Sequence, residues 1–159
     1  MKFESILGTL WLNADQTALT QVSYTPIEEN PLANQEILQT AKKQLLEFLA
    51  GDRKAFDVPY IFDVGTDFQQ EVWRTLTEIP YGETWSYLDV AQKLQRPKAV
   101  RAIGQANRNN PLPIIVPCHR VIGKNGKLVG YSGSSDAGLK IKEQLLIFEN
   151  PLLQEITLF

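Results

Sequence analysis

Residues 97–123, PKAVRAIGQANRNNPLPIIVPCHRVIG, decide how the chain is read, because they join a basic helical pattern to the only cysteine, Cys118, and the only histidine, His119. Between Pro113 and Pro117 the run Ile114, Ile115, Val116 is short, apolar and bounded by breakers, which is the pattern of a buried strand-like segment. Such a segment carries the thiol either into the core or to the floor of a cleft. A lone cysteine is commonly an inert, buried side chain. Here an imidazole and a guanidinium, from His119 and Arg120, flank the sulfur, and cationic neighbours lower a thiol from its ordinary pKa of ~8.5.

The residues before the thiol carry a second signal. Pro97 opens a helix in which Val100 and Ile103 are expected to face the core, while Lys98, Arg101, Gln105 and Arg108 recur at spacings of 3, 4 and 3 as one polar, basic stripe. Ala99, Ala102, Gly104 and Ala106 are small enough to let that helix lie close against a partner's backbone. Upstream, Ser86-Tyr87-Leu88-Asp89 has the form of a capped helix start, and Leu88, Ala91 and Leu94 continue it to Gln95. Two short helices joined by a brief turn form a helix-turn-helix, whose second member commonly meets nucleic acid. From Val90 to Lys127 there are eight basic residues and no acidic one, which suggests a polyanionic ligand despite the net charge of -2.

The flanks read as follows. FESILGTLWLN (3–13) and ALTQVSY (18–24) form two strands of a hairpin, and Ile37, Ala41, Leu45 and Phe48 mark one face of a helix ending near Gly51. A connection with one more short strand, DRKAFDVPYIFDVG (52–65), leads to a domain boundary near Asp63. Thr66-Asp67-Phe68-Gln69 is a capping box, followed by Phe68, Val72, Leu76 and Ile79 on one helical face, with Pro80-Tyr81-Gly82 as the stop. Asp136 caps a last helix with Ile141, Leu145 and Phe148 as its apolar stripe and Glu149 at its margin. Fold class is therefore α+β. Residues 1–63 form a small antiparallel sheet with a covering helix, and residues 64–159 a mainly helical, winged-helix-like domain holding the helix-turn-helix.

Composition narrows the functions. With one cysteine and one histidine there is no intramolecular disulfide framework and no basis for a structural zinc site, so no metal and no cofactor are expected. No stretch approaches the ~20 apolar residues of a membrane span, and the N-terminus lacks the pattern of a signal peptide, so the expected location is cytoplasmic, without membrane attachment. A cysteine beside a histidine in a basic surface supports three classes: a thiol hydrolase, an alkyl-accepting thiol, or a nucleic-acid-binding protein with an incidental thiol. Neighbours on a strand point to opposite faces, so His119 is expected to reach the sulfur only through water or a turn. A thiol hydrolase normally takes its histidine from a distant segment, and this chain has no second one.

PIIVPCHRVIG (113–123) resembles the active-site signature of the O6-alkylguanine-DNA alkyltransferases, the methylated-DNA–protein-cysteine methyltransferases. The resemblance extends through GTDFQQEVW (65–73), IPYGETWSY (79–87), residues 96–123, GYSG (130–133) and KEQLLIFE (142–149), over half the chain. It implies direct, stoichiometric and irreversible transfer of an alkyl group, typically methyl, from O6 of guanine in double-stranded DNA to Cys118, with O4-alkylthymine as a second candidate substrate. By the same resemblance His119 activates the thiol through water, Glu149 orients the imidazole, Tyr87 donates to the guanine ring nitrogen, and Asn110 holds the turn before the reactive segment. Arg101 enters the base stack from a recognition helix lying in the minor groove, where Lys98, Ala102, Gln105, Arg108 and Arg120 also meet DNA. Val121, Tyr131 and Ser132 border the extruded base. The chain is expected to act as a monomer with no required protein partner. A non-catalytic damage-recognition protein is the alternative; it would lack the acceptor cysteine that Cys118 supplies. Two departures from the family pattern, extra residues Ser134 to Gly138 and Gln144 in place of a frequent tryptophan, bear on substrate range.

Overall fold

A computed structural model describes residues 1–123 and 136–154. It divides into two compact units, Met1–Val64 with Pro111–Ile115, and Gly65–Asn110 with Val116–Phe159. Residues 111–115, which the sequence reading keeps with the second half, thus pack in the first unit.

In the first unit the expected hairpin is a three-stranded antiparallel meander. The stretch read as one strand breaks at Ile6-Leu7 into β1 (Lys2–Ser5) and β2 (Gly8–Ala14), where Gly8 takes a positive φ of 101°, and β3 (Leu19–Ser23) follows. Register pairs Phe3 with Leu10 and Leu12 with Val22, and these side chains, all buried, alternate with more exposed ones along β2 as a half-covered sheet requires. Helix α1 (Gln35–Leu49) covers it, started by Asn34, whose side chain accepts from the Glu36 and Ile37 amides. Its buried face is Leu38, Ala41, Leu45, Phe48 and Leu49, so Leu38 takes the place expected for Ile37: the apolar stripe is centred one residue further on. The short strand expected near Tyr60 is a single parallel bridge to Leu19.

The Pro113–Pro117 run is not a strand. Ile114 sits at φ 75°, a conformation costly for a β-branched residue, and is fully buried, so the run turns rather than extends. Such a turn cannot be read from periodicity, since a short apolar run looks the same in either conformation.

The second unit is built on α2 (Asp67–Leu76), α3 (Tyr87–Lys93), α4 (Val100–Arg108) and α5 (Asp136–Glu149). Both expected capping boxes form, at Thr66 with Gln69 and at Ser86 with Asp89. Helix α3 ends in a Schellman arrangement, with Arg96 N–H on the Ala91 carbonyl at 2.9 Å and Gln95 N–H on that of Gln92 at 3.0 Å, which turns the chain into α4. That gives the helix-turn-helix, packed against α2. Helix α4 begins at Val100 rather than at Pro97, and Val100 is exposed while Ile103, Ala106 and Asn107 form its buried face. The buried face of α5 is likewise rotated from the expected one: Gly138, Lys142, Leu145, Leu146 and Glu149 face inward and Phe148 outward. Asp136, Ala137 and Gly138, read as part of a lengthened loop, belong to the first turn of α5.

Trp73 ties α2 to α4. It is buried, and its indole donates at 2.7 Å to the Ala106 carbonyl in the last turn of α4, which also accepts the Asn109 amide at 3.1 Å. Gly65 lies beneath its ring at φ 91°, and a Cβ there would stand 2.6 Å from Trp73. Gly65→Ala is therefore expected to destabilise the protein by about 1–3 kcal/mol, through a strained backbone and a displaced indole. Denaturant unfolding followed by tryptophan fluorescence measures it.

Candidate active site

The thiol sits on a tight 3-10 turn, Cys118–Arg120, instead of a strand. Three residues per turn point Cys118, His119 and Arg120 in three directions, and all three are buried. Two asparagines fix the turn. Asn107 Nδ2 donates to the Cys118 carbonyl at 3.2 Å, and Asn110 Nδ2 to the Val116 carbonyl at 2.9 Å, while the Asn110 side chain also hydrogen-bonds the thiol. Asn110 thereby clasps the two ends of the 111–115 excursion. The sequence reading did not single out Asn107; the available signal was a polar residue four positions after Ile103 on an otherwise apolar face.

Glu149, the last residue of α5, collects the neighbouring groups. His119 Nε2 lies 2.5 Å from Glu149 Oε2, Arg120 Nε donates to Oε1 at 2.7 Å and Nη2 to Oε2 at 3.1 Å, and the Gly82 amide donates to Oε1 at 3.2 Å. Arg120 Nη1 also donates to the Ile79 carbonyl at 2.7 Å, and its guanidinium lies 5.6 Å from the Tyr81 ring centre. The expectation that Arg120 meets DNA is thus corrected: its side chain is only 9% exposed, and Nε, Nη1 and Nη2 each donate to a buried acceptor inside the protein.

The electrostatics follow from burial and these partners. Burial pushes the Cys118 thiol up to about 11, against the hydrogen bond from Asn110 and the charge of Lys142. Burial also lowers His119, and although Glu149 opposes this, Arg120 and Lys142 reinforce it, which favours the uncharged imidazole. Burial would raise Glu149, but His119 and Arg120 outweigh it and hold the carboxyl at about 2. With Nε2–H given to the carboxylate, Nδ1 is the nitrogen that keeps a lone pair; it makes no hydrogen bond to protein among the described residues. Lys142, fully buried two turns before Glu149 on the same helix face, is lowered by burial to about 8, an effect that the charge of Cys118 opposes. It too went unnoticed in the sequence, where a lysine among polar neighbours carries no mark.

A two-residue parallel pair aligns the next group. Strand β4 (Trp85–Ser86) pairs with β5 (Val121–Ile122), Trp85 against Val121, so the start of α3 is stapled to the end of the thiol's turn, and Val121 is buried there. Tyr87, the residue after β4, is mostly buried, and its phenol is pushed up to about 12 by burial and then by Cys118; its side chain hydrogen-bonds Asn107. Gly104 of α4 lies beside the Tyr87 ring, so that a Cβ added to it would stand 3.9 Å from that ring. Tyr87, Val100, Arg101, Gly104, Gln105 and Arg108 line a cleft of about 510 Å³. A second, of about 530 Å³, flanks the other side of α4 and shares Arg101 and Gln105 with it, adding Lys98 and Ala102. Lys98, Arg101, Ala102, Gln105 and Arg108 are all exposed along this helix. Tyr131 and Ser132 lie outside the described residues.

A helix-turn-helix with a basic outer face and a buried cysteine, histidine and glutamate behind it defines a nucleic-acid-directed thiol protein. Residues 67–151 match the family model described as the DNA-binding domain of 6-O-methylguanine DNA methyltransferase. The chain is 45% identical over 153 residues to a methylated-DNA–protein-cysteine methyltransferase of Methanosarcina acetivorans, covering 92% of this chain and 95% of the relative. It is 56% identical over 112 residues to a constitutive one of Bacillus subtilis, covering 70% and 66%. The crystal structure of Mycobacterium tuberculosis OGT in complex with DNA superposes with a TM-score of 0.81 at 41% identity, covering 94% of this chain and 92% of that one. The chain belongs to the methylated-DNA–protein-cysteine methyltransferase family.

Glu149→Gln leaves Arg120 buried without a counter-charge and is expected to cost about 3–5 kcal/mol of stability. In the wild type the folded-state pKa of Glu149 lies below the unfolded one, so its contribution is present above the ordinary glutamate value of ~4.3 and lost as pH falls through about 2. Urea titrations between pH 7 and pH 2 check both, and the variant is expected to lose less stability than the wild type over the acid range.

Proposed function

We propose that this chain repairs O6-alkylguanine in double-stranded DNA by moving the alkyl group to Cys118 once and irreversibly. The observation that carries the reading is the placement of the only thiol on a turn whose next residue is hydrogen-bonded to a buried carboxylate, in a chain 45% identical to a methyltransferase of that class. The role of DNA as partner rests on the basic outer face of α4 and on the DNA-binding family model.

The thiol is weakly acidic in its buried site and requires a base. His119 Nδ1 takes the proton through an intervening water, and the sulfur lone pair attacks the alkyl carbon in line with the C–O6 bond. The electrons of that bond stay with guanine, which takes a proton at a ring nitrogen from the Tyr87 phenol. The phenolate recovers the proton from the site, so the products are a thioether and unmodified guanine. No water attacks the thioether and the protein is consumed.

Access to the base requires extrusion from the duplex, at a cost of a few kcal/mol, with Arg101 filling the gap from α4 in the minor groove. Lys98, Ala102, Gln105 and Arg108 hold the backbone on either side, and Val121, Tyr131 and Ser132 border the extruded base, with O4-alkylthymine as a second candidate substrate. On this reading residues 64–159 bind DNA and accept the alkyl group, and residues 1–63 are structural. The protein acts as a monomer with no cofactor, in the reducing cytoplasm that a free acceptor thiol needs; among the described residues no helix is long and apolar enough to cross a membrane.

Intact mass after incubation with an O6-methylguanine duplex is expected to rise by one methyl, on Cys118, with no turnover beyond one equivalent. Cys118→Ala is expected to bind the duplex and transfer nothing. Wild-type binding without an adduct would identify a damage-recognition protein, and released product without an adduct a hydrolase. Arg101→Ala is expected to slow repair of duplex DNA at least tenfold more than reaction with a free guanine analogue, and equal losses would remove its base-extruding role. Binding is expected to weaken with salt, at a slope near -0.9 per neutralised phosphate.

A further inference from the structure

Glu149 ends α5, where the helix's unsatisfied carbonyls disfavour a negative charge, and α5 carries no basic residue in its last turn to offset them. The carboxylate is almost fully buried, its side chain 1% exposed. A buried anion in that position needs a cation that does not titrate, or it takes its proton from the nearest acid. The nearest ones are the imidazolium of His119 and the guanidinium of Arg120. Only one of these keeps its charge at every pH of interest.

We infer that Arg120 is a positioning residue of the alkyl-transfer site, whose guanidinium, forked onto Glu149 and anchored on the Ile79 carbonyl, turns the carboxylate to His119 and neutralises it so that the imidazole stays an uncharged base. The inference rests on the function proposed above. Geometry supports it from both ends. Nε and Nη2 address different oxygens of the same carboxylate, while Nη1 on Ile79 and the Tyr81 ring against the guanidinium fix the arginine's own plane. The Gly82 amide completes Oε1, so Oε2 is the oxygen turned to the imidazole. Without the arginine, the carboxylate's remaining cationic partner would be His119 itself. The imidazole would then hold a proton as a histidine–glutamate ion pair and would lose the Nδ1 lone pair that accepts the thiol proton.

Among the described residues, the charged and titratable groups around His119 are Cys118 and Arg120 on its own turn, Glu149 and Lys142 from α5, and Tyr81 and Tyr87 from the segments on either side of β4. Those of α2, which also packs on the turn, point away: Asp67 and Arg74 are exposed, and Glu71 is paired with Arg96. Lys142 opposes protonation of His119 as Arg120 does, but the charge it bears on is that of Cys118, whereas both oxygens of the carboxylate accept from Arg120. The carboxylate is therefore under the control of Arg120.

Single-turnover transfer from a saturating O6-methylguanine duplex, measured from pH 5.5 to 9.5, tests this in the wild type, Arg120→Lys, Arg120→Gln and Arg120→Met. Saturation removes any effect of affinity, which is measured separately. The rate of Arg120→Gln and Arg120→Met is expected to fall at least tenfold at pH 6 and less than threefold at pH 9, as the acid limb moves up by a unit or more; Arg120→Lys restores most of the wild-type profile. Because His119 is the only histidine, its ring NMR signals give a second readout: neutral in the wild type from pH 6 to 8, protonated through neutral pH in the glutamine variant. A uniform loss across pH, an unchanged profile, loss confined to DNA affinity, or a protonated wild-type ring at pH 7 would each overturn the inference. If the methionine variant does not fold, the lysine and glutamine variants and the wild-type ring titration still decide it. Failure of the wild type to form an adduct would instead refute the function on which the inference rests, whatever the ring titration shows.

Discussion

A carboxylate sealed from water at the negative end of a helix stays ionised only if its surroundings supply charge and donors, and the second unit is arranged around meeting that demand at Glu149. Its two oxygens receive the imidazole of His119, two donors of Arg120 and the amide of Gly82. Each contact also joins elements far apart in the chain: α5 to the thiol's turn, and both to the loop after α2. Asn150 extends the same join, its amide donating to the Gly82 carbonyl at 3.3 Å. The charge that sets the histidine's protonation state is the charge that locks the turn in place, so catalytic electrostatics and local stability share one set of contacts.

The site is held from three directions. From α4, Asn107 grips the Cys118 carbonyl; from the other side of the excursion, Asn110 grips Val116 and the thiol; and the β4–β5 pair carries Tyr87 to its position. A 3-10 turn leaves its three side chains splayed, which lets the sulfur, the imidazole and the guanidinium occupy separate surroundings although they are consecutive in the chain. Dividing the roles this way explains why Arg120 faces inward while the basic residues of α4 face out. The outer face then carries the exposed basic stripe, and the inner arginine serves a carboxylate.

Much of this was legible in the residues themselves. Capping boxes at Thr66 and Ser86 were visible because they are local reciprocal hydrogen bonds written in four consecutive letters. The exposed basic stripe of α4 followed from helical spacing. Burial phase was less legible: Leu38 replaced Ile37 in α1, and Phe148 and Val100 turned outward, because an apolar residue at the edge of a stripe is assigned by packing rather than by period. The split of the first strand and the turn at Ile114 escaped for a related reason, since neither place has the Gly-Asn or Gly-Asp signature of a tight turn.

By itself the sequence determined the α+β class, the helix-turn-helix, the single thiol and single imidazole side by side, and, through the resemblance of its motifs, the family. These are properties of composition, local hydrogen bonding and short-range spacing. Only the tertiary structure decided which way Arg120 faces, that Asn107 and Lys142 lie on the buried side of the site, and that Glu149 is shared between an imidazole and a guanidinium. Those depend on which distant groups a buried charge finds when α5 packs on the turn at Cys118, and a charge in low dielectric answers to its neighbours in space, whatever their distance along the chain.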